Sequence, residues 1–189
     1  VVMDLGTSMV CSMLNARLEE LSQKPTCNFI GASAYYSNMI VAKTVNAFTV
    51  GIMPKPGKDA EAVQEVMQEV QRAVRHGFTA SEKFRAQENI ISSLERLNQN
   101  VNQFVRHFLD NEPAMDIATT FQVYKQLADA LPLEEYSKLV KELAASTDTN
   151  FVFFAMYPEK DDVVVPTVDA MNHPPCETLE YKIPRDKIS

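Results

Sequence analysis

Between Thr79 and Asp110 the chain contains neither Gly nor Pro. Its apolar residues there, Phe84, Ile90, Ile91, Leu94, Leu97, Val101, Phe104, Val105 and Phe108, recur mostly at spacings of three and four. That period places them along one side of a helix, which predicts a single core-facing helix of roughly eight turns. Thr79 followed three residues later by Glu82 has the form of a capping box. The Thr hydroxyl takes an orphan amide of the first turn and the Glu carboxylate reaches back to the cap amide. A helix of this length requires a broad apolar partner surface, so the flanking segments must supply sheet and further helices.

Those segments read as follows. Asp4 to Lys24 carries Leu5, Met9, Met13, Leu14, Leu18 and Leu21 at helical spacing with Arg17, Glu19, Glu20 and Lys24 opposite, predicting an amphipathic helix that ends near Pro25. Asn28 to Tyr36 and Ala47 to Met53 are β-prone, the second alternating Phe48, Val50 and Ile52 with Thr49 and Gly51. An antiparallel hairpin with a polar connection over Ser37 to Asn46 is predicted. After Pro54, Pro56 and Gly57, Val63, Val66, Met67, Val70 and Val74 mark a helix over Ala60 to Arg75. Arg75 and His76 suit its carboxyl end and Gly77 can take the left-handed conformation that stops it. Beyond the long helix, helices are predicted over Asp116 to Leu131 and from Pro132 to Ala145, with Leu131 as the hinge, then a buried strand over Thr149 to Met156. Helices grouped between strands, with a hairpin among them, favour an α+β sandwich of helices on a mostly antiparallel sheet. From Pro158 onward no helical period remains, so the reading is one domain over residues 1–159 and a Pro-containing linker or arm over 160–189.

With 189 residues, 46 % of them apolar, the chain can bury a substantial core. Its formal charge of −7 repels a phosphate backbone and no Lys/Arg cluster offsets it, which argues against nucleic acid as a partner. No apolar run approaches the length of a membrane span. Cys11, Cys27 and Cys176 form no metal or disulfide pattern. Cys11 falls on an apolar helical face, where a thiol behaves as a small hydrophobe.

Four segments in register carry a family resemblance: MLNARLEELSQK from Met13, FIGASAYY from Phe29, HGFTASE from His76 and VRHFLDNEP from Val105. Together, over about residues 5 to 170, they resemble the non-catalytic second domain in the amino-terminal half of bacterial zinc peptidases of the pitrilysin/insulinase family. The resemblance implies a mitochondrial-processing-peptidase type α+β domain, repeated four times in two halves around a closed chamber. It also implies Zn2+ bound by a His-x-x-Glu-His motif with a further Glu, all in the preceding domain of the parent. Its expected partners are the other domains of that parent and the parent's peptide substrate, and its expected compartment is the bacterial periplasm or cell envelope. A catalytically inactive scaffold or assembly protein of the same fold is the alternative. The family domain opens with a strand, and the helical pattern already present at Leu5 predicts that this chain starts after it, so an exposed sheet edge and a dimer through it are expected.

No zinc motif is present. His76, His107 and His173 are isolated, so no catalytic or metal residue carries over to this chain, and no cofactor is expected in it. His173 and Cys176 make only two ligands in a Pro-rich arm. Glu19/Glu20, Glu134/Glu135 and Asp161/Asp162 are sequence neighbours that point in different directions and stay solvated. Ser33 and Ser81 have no His nearby in sequence. Tyr35 and Tyr36 are the candidate site residues. Adjacent strand residues face opposite ways, so one of them leaves the core, either to contact substrate or a neighbouring domain or to stand as an amphipathic side chain at the core's rim.

Overall fold

The computed structural model describes residues 2–42, 45–96, 117–145 and 155–156. Its elements are α1 (Val2–Ser22), β1 (Phe29–Ala42), β2 (Val45–Pro54), α2 (Asp59–His76), α3 (Ala80–Arg96), α4 (Ile117–Ala130) and α5 (Leu133–Ala145). Among the described residues this is a mixed architecture of five helices and a two-stranded antiparallel sheet. Among the described residues the elements follow the expected order of helix, hairpin and four helices. The wider sheet anticipated from the sequence depends on the strand at 149–156. Residues 149–154 lie outside the described residues, and Ala155 and Met156 are exposed without regular structure. The stretch 97–110, over which the sequence predicts the long helix to continue, and the arm over 160–189 also lie outside them.

The helix on which the described fold turns is α1. It lies against β1 and touches all four other helices. Leu5, Met9, Val10, Met13, Leu14 and Leu18 are all within 1 % of complete burial, and they occupy more than one side of the helix. The exposed Asp4, Ser8, Ala16, Glu19 and Glu20 are confined to the remaining side, so most of the helix circumference is inside the fold. Gly6 permits the closest approach: a Cβ there would lie 2.9 Å from the Leu139 side chain of α5. The sequence reading placed Arg17 on the polar side of this helix, but Arg17 is 2 % exposed. Its charge is paired internally.

In the hairpin, Ala32 faces Ile52, Ala34 faces Val50 and Tyr36 faces Phe48. Cross-strand partners share a face, and Ala32, Ala34, Phe48, Val50 and Ile52 all pack into the core. The opposite face pairs Gly31 with Met53, Ser33 with Gly51 and Tyr35 with Thr49. Ser37 to Ala42, read as a polar connection, continue β1 instead, leaving a much shorter link between the strands. The stretch contains the β-branched Ile40 and Val41, whose preference for extended backbone outweighs the turn signal of Ser37 and Asn38.

On α3 the buried line is Glu82, Ala86 and the partly buried Ile90, at intervals of four. Phe84, assigned from the sequence to the core-facing stripe, is 64 % exposed. The small Ala86 rather than Phe84 sets how closely α3 approaches its neighbours. On α5, Tyr136 is 1 % exposed and its hydroxyl has no hydrogen-bond partner among the described residues. A buried, unsatisfied hydroxyl opposes folding by roughly 1–3 kcal/mol. Tyr136→Phe is therefore expected to leave thermal stability unchanged or to raise it, and a lowered melting temperature would reveal a partner for that hydroxyl.

Candidate functional site

Beside β1, an open cleft of about 620 Å³ runs between α1 and α3. Its floor is the α1 stripe Ser8, Cys11, Ser12, Asn15 and Ala16, small side chains one helical turn apart. One wall holds Tyr35 and Tyr36 and the other Asn89, and the end carries Glu19. The structure thus brings both sequence-derived candidates, Tyr35 and Tyr36, to one site. Their β alternation is still visible, because Tyr35 is 38 % exposed while Tyr36 shares the core-side face with Phe48.

Asn15 holds the wall to the floor. Its Nδ2 donates to the Ala34 carbonyl at 3.0 Å and its Oδ1 accepts from the Ala34 amide at 2.6 Å. Sequence reading passed over this residue. The only signal was a lone amide in the otherwise apolar run Met13, Leu14, Asn15.

Two residues further along α1, Arg17 anchors the helix to α2 and α3. Its Nε and Nη2 donate to the two Glu82 carboxylate oxygens at 2.6 and 2.9 Å. Nη2 also donates to the Gly77 carbonyl at 2.9 Å, and Nη1 reaches Glu69 at 3.5 Å. The guanidinium lies 5.0 Å from the Phe78 ring centre, and Glu69 in turn accepts from Arg72 at 3.1 Å. Two arginines and two glutamates thereby balance charge in the junction of α1, α2 and α3. Burial pushes the Glu82 carboxyl up, but hydrogen bonds and charge from Arg17, with hydrogen bonds from Thr79, outweigh it and hold the carboxyl below its ordinary value.

The capping box is formed as expected. The Thr79 amide donates to Glu82 at 2.8 Å and the Glu82 amide to the Thr79 hydroxyl at 3.2 Å. Glu82 therefore both caps α3 and pairs with Arg17.

Chemically, the cleft offers hydroxyls, amides and one carboxylate, which suit hydrogen bonding. Cys11 is buried as expected, and that burial pushes its thiol up to about 11, leaving it protonated at neutral pH. Ser33 is exposed, while Ser81 shares a 3.0 Å hydrogen bond with Thr79. His76 lies exposed at the end of α2; His107, His173 and Cys176 lie outside the described residues. Glu19, Glu20, Glu134 and Glu135 are exposed, and Asp161 and Asp162 lie outside the described residues. Among the described residues no three His, Cys, Asp or Glu side chains gather closely enough to hold a metal ion. These residues do not fit a zinc site, and no metal-dependent step is assigned to them. No described helix is long and apolar enough to cross a membrane.

Two solved structures share this fold. The first half of the periplasmic protease PqqL from Escherichia coli matches with a TM-score of 0.68 and 18% identity, over 78% of this chain and 33% of that one. The periplasmic protease PqqL from Escherichia coli matches with a TM-score of 0.65 and 19% identity, over 76% of this chain and 17% of that one. The chain therefore spans a third of the half-protease and a smaller share of the longer chain. No protein-family model and no curated protein matches it.

Proposed function

We propose that this chain is a non-catalytic domain of a zinc peptidase of the pitrilysin/insulinase type, walling the substrate chamber and supporting the zinc-bearing domain. The observation that carries the reading is the fold likeness to the first half of a periplasmic protease over most of this chain. The four sequence segments that resemble the second domain of that family support it independently. In this reading Zn2+ belongs to the preceding domain of the parent, and the parent works in the bacterial periplasm or cell envelope. The domain's contribution is geometric: helices pack on one side of the hairpin, and the rim where β1 meets α1 and α3 contacts the peptide or an adjoining domain. Tyr35 and Tyr36 are the residues proposed to make that contact, because they border a cleft that offers many hydrogen-bonding groups and little charge.

The test is made in the parent. Deleting this segment is expected to abolish peptide hydrolysis even though every zinc ligand remains, measured with zinc content confirmed. A parent that keeps full turnover without the segment would sink the reading. A parent whose preceding domain lacks His-x-x-Glu-His would instead support the inactive scaffold of the same fold.

A further inference from the structure

A strand with no neighbour on one side offers its outward amides and carbonyls to any extended chain that approaches. Among the described residues β1 pairs only with β2, and its outward direction is defined by Ala34, which lies opposite Val50 yet directs both its amide and its carbonyl to Asn15. Alternate residues of an antiparallel strand point these groups the same way, so Ala32 and Tyr36 belong to the same outward edge. A carboxamide carries one acceptor and a donor in a plane, as a peptide group does. Asn15 therefore stands where one peptide unit of a further strand would stand.

We infer that Asn15 closes the outer edge of β1 and keeps a second copy of the chain from adding a strand there. An incoming strand would have to break both hydrogen bonds at Ala34, which is 2 % exposed. It could not push Asn15 aside easily either, because Met13, Leu14 and Leu18 bury α1 to within 1 %. The hairpin needs such protection: Ile30 and Met53 are 60 % and 62 % exposed and would reward pairing with another sheet. Of the edges through which the dimer expected from the sequence could form, the one on β1 is occupied by Asn15. The inference concerns self-association and holds whether or not the parent is a peptidase.

The test is light scattering coupled to size exclusion on the full chain over a concentration series. Wild type is expected to keep the mass of one chain. Asn15→Ala is expected to climb toward twice that mass as concentration rises, with a gain in intermolecular strand signal in the infrared. Asn15→Ser, whose hydroxyl is too short to bracket both groups, gives the same reading if the alanine form does not fold. A dimeric wild type, or monomeric behaviour of whichever variants fold, would overturn the inference. Hydrogen exchange gives a check without any variant: the wild-type Ala34 amide is expected to exchange only with global unfolding. Exchange as fast as an exposed loop would also overturn it.

Discussion

Arg17→Ala is expected to lower stability by about 3–5 kcal/mol, the cost of removing one partner from a buried ionic cluster and leaving the other charges uncompensated. Arg17 and Glu69 are each 2 % exposed and Glu82 is 6 % exposed, so water cannot replace the lost guanidinium without opening the junction. Arg17→Lys is expected to recover only part of the loss, since an ammonium cannot reproduce the two parallel hydrogen bonds to Glu82 while also reaching Gly77. Chemical denaturation measures both, with an unchanged m-value confirming that the folded state is comparable.

The same cluster sets a pH dependence. The Glu82 carboxyl is held below its ordinary value when folded, so the folded state binds its proton less readily than the unfolded chain does. That contribution is fully present above the unfolded glutamate value of about 4.3 and is lost as the pH falls from there through the depressed native value. Wild type should therefore lose stability in that acid range, and Glu82→Gln should flatten the slope. An equally steep acid transition in Glu82→Gln would mean that other carboxylates dominate it.

How far the sequence reveals this fold depends on the distance over which its signals act. Thr79 and Glu82 are three residues apart, and the capping box they form was legible because both partners lie in one turn. The apolar line of α1 was legible for the same reason. Arg17 meets Glu69 and Glu82 across 52 and 65 residues, and no local pattern links those positions. Read alone, a charged residue beside Glu19 and Glu20 belongs to the solvated face, and the polar period misplaced it. Phe84 failed in the opposite direction. Spacings of three and four accumulate over a long helix into more than one face, so size alone assigned Phe84 to the core, while Ala86 lies on the buried line. The candidate cleft was half legible. Strand alternation singled out Tyr35 and Tyr36, but the α1 floor and Asn15 join them only through tertiary packing, with Asn15 and Ala34 separated by 19 residues.

Gly77→Ala is expected to be about as damaging as the loss of Arg17, through the backbone as well as through contact. Gly77 ends α2 with φ 68° and ψ −153°, a combination that is essentially restricted to glycine. Forcing a Cβ into it costs about 1–3 kcal/mol in backbone strain. The new Cβ would also collide with the Ser137 hydroxyl and lie 3.1 Å from Ser137 Cβ on α5. Overpacking of this kind adds about 1–3 kcal/mol, for a total of roughly 2–6 kcal/mol.

The two causes separate in a double-mutant cycle. Ser137→Ala removes the nearer clash, so Gly77→Ala should cost less in that background, and the remainder reports mainly the dihedral strain. An identical cost in both backgrounds would show that α5 shifts away freely. Because the Gly77 carbonyl accepts from Arg17 at 2.9 Å, a displaced α2 terminus also pulls on the charge cluster. Gly77→Ala and Arg17→Ala should therefore combine to less than the sum of their separate effects. Strict additivity would show that the end of α2 and the buried cluster act independently.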